Sequence, residues 1–314
     1  MQKVALIGAG LIGQAWAIVF ARAGYEVALF DAEAGALGPA ERAVAARLND
    51  LATFGLVDDP EAIAARVRTT DSLEDALEGA AHVQENAPER VEVKREVFAE
   101  LDRLAGAGAV LASSTSGIPA SAFTEGLAGR HRCLVAHPIN PPYLVPLVEL
   151  CPAPWTDPAV VDRTFELMRA AGQSPIRLRK EIRGFVVNPM QGALIGAALK
   201  LVEGGYASAE DVDIAIRDGI GLRWSFMGPF ETIDLNAPGG IADYLRRYGP
   251  LYAAIEREQA GPAGWDDGAL ISQVEAERRR FLTEDRLEAR SEWRDRRLMA
   301  LAAHRAKAKK DIGE

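Results

Sequence analysis

At 314 residues the chain is longer than one hydrophobic core comfortably encloses, so two domains are expected. Hydrophobic and charged fractions of 48% and 26% are those of a globular protein, and a formal net charge of -9 argues against the clustered Lys and Arg of a nucleic-acid footprint. The two cysteines, Cys133 and Cys151, sit in apolar strand-like contexts without a C-x-x-C partner, the pattern of buried thiols in a reducing compartment.

In chain order, Val4 to Ile7 is an apolar run of strand length that passes directly into Gly8-Ala9-Gly10-Leu11-Ile12-Gly13, a G-x-G-x-x-G turn. From Leu11 to Arg22 the apolar residues Ile12, Trp16, Val19 and Phe20 recur at helical spacing, and Gly24 ends that helix. Val27 to Phe30 is a second strand, closed by Asp31. Strand, glycine turn, helix, strand and acid in this order make a dinucleotide site. Gly8 allows the tight turn, Gly10 the approach of a pyrophosphate, and Gly13 the close packing of helix on strand. Leu11 and Ile12 open the helix whose N-terminal partial positive charge holds the phosphates. Asp31 accepts hydrogen bonds from both ribose hydroxyls and repels a 2′-phosphate, which selects NAD over NADP.

Glu41 to Val67 predicts two helices broken near Gly55 and Pro60. Short strands at Val67 to Thr70 and Ala81 to Gln84 flank a helix from Leu73 to Leu77, and Pro88 opens another helix that runs to Leu104. Val110 to Ala112 is a strand that delivers Ser113-Ser114-Thr115-Ser116-Gly117 at its carboxyl end. This alternation predicts an α/β fold with a doubly wound, mostly parallel Rossmann-type sheet and a ligand crevice at the carboxyl ends of its strands. Cys133 to Ala136 is a strand ending at His137, followed by Pro138, Pro141, Pro142 and Pro146, then by Leu147 to Leu150 with Glu149 inside. So proline-rich a loop is stiff enough to fix His137 against Glu149.

Pro175 to Leu178 is the last predicted strand, and beyond Gly184 the pattern is almost wholly helical. The boundary is drawn there: 1–182 an NAD-binding domain, 183–314 an all-helical substrate and dimerisation domain. Gly192 and Gly196, four apart, give one helix a smooth face suited to a subunit contact. The tail from Arg278 to Lys310 mixes acids and bases and reads as a solvated amphipathic helix. The start of the chain imitates a signal peptide, but three glycines at nucleotide-binding spacing have no place in one. Phe185 to Val202 is interrupted by Asn188, Gln191 and Lys200 and does not read as a membrane span. A cytoplasmic protein without membrane or nucleic-acid partners is expected, and no metal-ligand cluster is read.

At His137-Pro138-Ile139-Asn140-Pro141 the sequence resembles the 3-hydroxyacyl-CoA dehydrogenase superfamily, over nearly the whole chain. Ser114-Thr115-Ser116, Val148-Glu149, Gly184-Phe185-Val186-Val187-Asn188 and Gly228-Pro229-Phe230-Glu231 stand in that family's order. Gln84-Glu85, Pro88-Glu89, Asn140-Pro141-Pro142-Tyr143, Glu231-Thr232, Leu235-Asn236-Ala237 and Trp293-Arg294-Asp295 resemble its lambda-crystallin, or L-gulonate 3-dehydrogenase, branch. The resemblance implies His137 as general base oriented by Glu149, with Ser116 on the reacting oxygen and Asn140 and Asn188 positioning substrate and cofactor. Glu89, beside Pro88, is assigned to the cofactor site rather than the catalytic set, although capping its own helix is an alternative role. The chemistry is self-consistent, because neutral imidazole accepts a proton from a secondary alcohol near pH 7.

Arg223, in Gly221-Leu222-Arg223-Trp224, stands where acyl-CoA members are expected to carry an aromatic-proline pair, and its guanidinium suits a free carboxylate. Glu41 to Leu51 holds Arg42 and Arg47 but no lysine for a CoA phosphate. Pairing of Arg223 with Glu231 or Asp234 is the alternative role. The expected reaction is NAD-dependent oxidation of a small free L-3-hydroxy acid of the L-gulonate type; Trp224, Phe226 and Phe230 would equally cage a quaternary ammonium, which keeps carnitine as an alternative, beside short-chain 3-hydroxy acids and a 3-hydroxyacyl-CoA thioester. A non-catalytic NAD-binding structural protein is the reading from a different class, and the intact Ser116, His137, Glu149 and Asn188 set weighs against it.

Overall fold

In the computed structural model of the chain, residues 2–313 are described. They form two compact units. One runs to Asn188 and is rejoined by the chain from Arg290 onward; the other spans Pro189–Ala289.

The first unit is built on eight strands: β1 (Lys3–Ile7), β2 (Glu26–Phe30), β3 (Val67–Thr70), β4 (Ala80–Glu85), β5 (Val110–Ser113), β6 (Cys133–Pro138), β7 (Leu147–Pro152) and β8 (Ser174–Arg177). Their order is β3-β2-β1-β4-β5-β6-β7-β8. The first six run parallel, β7 pairs antiparallel to β6, and β8 follows β7 in parallel. The chain winds outward from β1 to β3 and then crosses back to β4 beside β1, which opens a crevice at the carboxyl ends where the winding reverses.

Each predicted strand is present, most of them a residue or two longer. Alternate residues enter opposite layers: Val4 and Leu6 pack with Trp16, Leu48 and Met168, whereas Ala5 and Ile7 pack with Phe98, Leu101 and Phe123. Burial on both faces is why these strands read as continuous apolar runs. The two edges, β3 and β8, are four residues each, and β8 carries Pro175, which blunts it against pairing with another chain.

The helices depart further from expectation. The first inserted helix begins at Ala34 rather than Glu41 and takes Gly35, Gly38 and Pro39 into its opening turns. Burial of Ala40, Val44, Leu48 and Leu51 along its inner stripe outweighs those poor helix formers. The helix expected from Pro88 begins at Val91. The tail divides into Gly268–Arg279 and Leu287–Ile312. From Arg290 onward it groups with the first unit, where Met299, 2% exposed, joins the core, so a single cut at 182/183 does not describe the chain's contacts. One apolar anchor in so charged a segment leaves little periodicity to read.

Both cysteines are buried, and burial pushes the Cys133 thiol up to about 12 and the Cys151 thiol to about 11, so neither is a nucleophile at neutral pH. His82, 1% exposed, is held down to about 4 by burial, against which a hydrogen bond to Gln84 works only partly. Its native value lies below the ordinary 6.5, so the unfolded chain binds the extra proton first and stability falls as pH drops from 6.5 toward 4. The expected loss from this residue is about 3 kcal/mol between pH 7 and pH 4. Urea unfolding at both pH values checks it: His82→Gln should lack that part of the pH dependence, and an unchanged slope would refute the assignment.

In the second unit Val202, Ala209 and Leu270 form a small core with Leu199, Val212 and Val274. In helix Val187–Glu203 a Cβ at Gly196 would already touch Trp265 at 3.4 Å, while one at Gly192 would meet nothing within 4 Å. The Gly196 end of the smooth face is therefore used inside the unit itself.

Candidate active site

The glycine turn leaves β1 and enters helix Leu11–Arg22 at the switch point between β1 and β4. Gly8 has φ 103°, and a Cβ there would lie 2.9 Å from the Asn86 carbonyl oxygen; one on Gly13 would lie 1.9 Å from the Gly8 carbonyl oxygen. Packing alone thus requires these two glycines. A Cβ on Gly10 would meet nothing within 4 Å, so that position opens outward, as the approach of a phosphate needs. The helix has Gly10 as N-cap with no side-chain cap and no acid in its first turn, which leaves its N–H groups to an external anion. Leu11 is 66% exposed at this opening, and Ile12 is half-buried against the core behind it. Asp31 follows β2, where its Oδ2 accepts from Ala9 N–H at 2.7 Å and its Oδ1 from Glu33 N–H at 3.0 Å. Each oxygen retains a lone pair, so the carboxylate is fixed beside the turn and still able to accept ribose hydroxyls. These features fit a dinucleotide.

After β5 the Ser114–Gly117 loop is clasped from outside by Glu89. Its Oε1 accepts from the Thr115 hydroxyl at 2.5 Å, Ser116 N–H at 2.9 Å and Gly117 N–H at 3.2 Å. Glu89 therefore orders this loop rather than capping its own helix. The turn after the loop is capped by Thr115 Oγ1, which accepts from Ile118 N–H, so Ser116 is spared that role. The Ser116 hydroxyl is exposed and takes no partner among the described residues, and its carbonyl accepts from Asn188 Nδ2 at 2.6 Å.

His137 and Glu149 are brought together by strand register. In the antiparallel β6–β7 pair they stand directly opposite, and side chains opposite one another share a face of the sheet. His137 Nδ1 meets Glu149 Oε2 at 2.8 Å, with His137 5% exposed and Glu149 fully buried. The proline loop is the expected means of fixing this pair; in the structure the ladder itself carries both residues, because β6 runs through His137 to Pro138 and β7 on to Pro152. A carboxylate only accepts, so Nδ1 carries the hydrogen, and in the neutral ring that leaves Nε2 with the lone pair. Glu149 Oε1 accepts from Val186 N–H at 2.7 Å and Val187 N–H at 3.0 Å. Burial by itself would raise the Glu149 carboxyl, but the bonds from His137, Val186 and Val187 prevail and hold it below its ordinary value.

Asn140 is exposed in the cis Asn140-Pro141 unit that follows β6 and makes no hydrogen bond among the described residues. Arg223 lies in the second unit on helix Gly221–Trp224, exposed. It forms no ion pair among the described residues, so the expected alternative partners Glu231 and Asp234 do not hold it; an Asp234 oxygen accepts from Ile241 N–H instead. A π-helical stretch with a non-helical Gly219 precedes Arg223, an irregularity no periodicity announced.

Sequence reasoning passed over Lys94. It is 1% exposed, and its Nζ lies 3.0 Å from Glu85 Oε1 and 3.6 Å from Glu89 Oε2; Ser113 Oγ also bonds Glu85. The signal was a lysine on the apolar stripe of its helix, the same stripe as Phe98 and Leu101.

Comparison with known proteins bears on this arrangement. Residues 3–182 match the family model of the 3-hydroxyacyl-CoA dehydrogenase NAD binding domain, and residues 184–260 that of the C-terminal domain. The chain belongs to the 3-hydroxyacyl-CoA dehydrogenase family. As a member it is an NAD-dependent oxidoreductase with a Rossmann-type sheet and a helical C-terminal domain. A lambda-crystallin homolog from Bos taurus is 44% identical over 304 residues, covering 95% of this chain and 94% of its own. L-carnitine dehydrogenase from Streptomyces griseus is 38% identical, covering 89% and 88%. The solved structure of 5-formyl-3-hydroxy-2-methylpyridine 4-carboxylic acid 5-dehydrogenase, an NAD+ dependent dismutase, superposes with a TM-score of 0.81 at 28% identity, covering 96% and 97%. Among the described residues no helix is long and apolar enough to cross a membrane, and no cluster of His, Cys, Asp and Glu is placed to hold a metal.

Proposed function

We propose that this dehydrogenase oxidises a small free L-3-hydroxy acid of the L-gulonate type to the 3-oxo acid. The observation that carries the reading is the buried dyad, in which Glu149 fixes the Nδ1–H tautomer of His137 and leaves Nε2 as a base. The glycine turn and Asp31 would hold the pyrophosphate and adenosine ribose of NAD, whose nicotinamide would supply the hydride acceptor. His137 Nε2 takes the hydroxyl proton as the carbon–hydrogen bond breaks, and Glu149 stabilises the resulting imidazolium. The unpartnered Ser116 hydroxyl steadies the reacting oxygen. Asn188, tied to the Ser116 carbonyl, holds that loop and the substrate in place, and Asn140 lines the approach. Glu89, through the Thr115–Gly117 loop, shapes the nicotinamide end of the cofactor site.

Arg223, without an internal carboxylate, supports a free acid over a thioester. So do the relatives named for L-carnitine and for a pyridine carboxylic acid, neither of which is a CoA thioester. The exposed aromatics Trp224, Phe226 and Phe230 favour L-carnitine as the second reading. NADH formation screened over L-gulonate, L-carnitine, 3-hydroxybutyrate and 3-hydroxybutyryl-CoA tests both, and activity confined to the thioester would overturn both. No turnover of any 3-hydroxy compound, with NADH still bound, would favour a structural protein.

Asp31 leads to a second expected outcome. NADH should bind about tenfold to a hundredfold more tightly than NADPH, the scale of hydrogen bonds to a charged group, and Asp31→Ala should narrow the gap. Fluorescence titration of the two cofactors decides it, and tighter NADPH binding would sink the role given to Asp31.

We further propose a cytoplasmic homodimer joined through the helical unit. Its small core leaves the large apolar side chains Leu222, Trp224, Phe226, Phe230, Leu235 and Tyr252 exposed, and burial against a second copy would remove them from water. Light scattering at micromolar concentration should report twice the 33.8 kDa chain mass; a monomer would refute the dimer.

A further inference from the structure

The segment leading out of the first unit contains Phe185 at φ 57°, the one non-glycine residue with a left-handed backbone among those described, directly after Gly184 at φ 75°. A bulky residue adopts that conformation only where its surroundings hold it. Here the surroundings are the dyad. Phe185 is 1% exposed, and its ring centroid lies 5.3 Å from that of the His137 imidazole at an interplanar angle of 45°. The next two residues turn their N–H groups onto Glu149 Oε1, and Asn188 then reaches the Ser116 carbonyl. Four consecutive residues therefore each touch His137, Glu149 or the serine loop.

This divides the labour of the Glu149 carboxylate. Oε2 serves His137 and Oε1 serves the segment. A carboxylate bonded through one oxygen alone is still able to swing, and the imidazole hydrogen-bonded to it swings with it. Two N–H groups on the other oxygen fix the carboxylate plane, and they converge there only because the chain turns left-handed at Phe185. Packing of the Phe185 ring against the imidazole restricts the second partner in the same way.

We propose that Phe185 is a positioning residue for the general base: its left-handed turn aims Val186 and Val187 N–H at Glu149, and its ring holds the His137 imidazole at the tilt at which Nδ1 meets Oε2. The inference rests on His137 acting as base, and it adds a residue that touches neither substrate nor cofactor. The alternative is that Phe185 merely fills the core it shares with Phe98 and Phe123.

Phe185→Gly and Phe185→Leu in the full chain separate these roles. Glycine accepts the left-handed turn without a ring; leucine keeps most of the volume without a flat face. The expected result is unchanged NADH affinity and substrate KM in both. In the glycine variant kcat falls about tenfold to a hundredfold, the scale of a misplaced catalytic group, and in the leucine variant by a smaller factor. The imidazole N–H proton bonded to Glu149, identified in the NMR spectrum by its loss in His137→Gln, should broaden in both. Wild-type kcat with a sharp resonance in both variants would overturn the inference. So would a loss of kcat that only tracks the fraction of protein able to bind NADH. Should the glycine variant fail to fold, the leucine variant decides by the same two readouts. If His137→Gln itself turns over normally, the underlying assignment of the base fails instead, and the two failures are thereby distinguished.

Discussion

Replacing His137 by Gln is expected to lower kcat by about a hundredfold to ten-thousandfold while leaving NADH affinity nearly intact, the range for a lost general base. The separation follows from geometry. The dinucleotide turn and Asp31 lie at β1 and β2, whereas His137 and Glu149 belong to the β6–β7 ladder, and among the described residues no hydrogen bond joins the two groups. Glutamine keeps a polar side chain of similar reach beside Glu149 but has no basic nitrogen for an alcohol proton. Glu149→Gln should act in the same direction and less severely. Its amide oxygen would still accept from Val186 and Val187, which turns the NH2 group toward His137 Nδ1 and favours the tautomer whose Nε2 is already protonated. Because the bonds to Glu149 hold its carboxyl below the ordinary value, the pair should stay assembled as pH falls through the range in which exposed carboxylates protonate. Stopped-flow measurement of NADH formation with a fluorescence titration of NADH checks both variants. Normal turnover by His137→Gln would end the proposed mechanism.

The first unit was legible because its signals are local. Short apolar runs mark most of the strands, although β3 offers only Val67 beside Arg68, Thr69 and Thr70, and the glycine turn is recognised by its spacing directly after β1. What escaped reading depends on register or on distant partners. The expected pairing of His137 with Glu149 is present, but what sets them opposite one another is the β6–β7 ladder, which the prolines between them do not reveal. Glu89 had an evident local role as a cap, yet it clasps a loop 26 to 28 residues further on. Lys94 is charged in sequence and buried in space because Glu85 awaits it on the neighbouring strand. The last helix carries so mixed a charge pattern that its return to the first unit through Met299 left no periodicity to find. In the helical unit the irregular turn before Arg223 arises from Gly219, which is indistinguishable in sequence from a glycine within an ordinary helix.

Arg223→Met should reduce kcat/KM for free acids by about tenfold to a hundredfold, equivalent to 1.5 to 3 kcal/mol for a hydrogen bond to a charged group. The guanidinium is exposed on a short helix with no ion-pair partner among the described residues, so the substitution breaks no internal salt bridge and stability should barely change. A loss of activity would then report on the substrate carboxylate, because methionine retains the aliphatic reach of arginine without its planar fork. The fold-loss should be similar for L-gulonate and L-carnitine if Trp224, Phe226 and Phe230 hold the quaternary ammonium independently, because an additive contribution cancels from the ratio of variant to wild type. Unequal losses would mean that the carboxylate and ammonium ends of carnitine are coupled in the site. No loss on any free acid would remove Arg223 from the site.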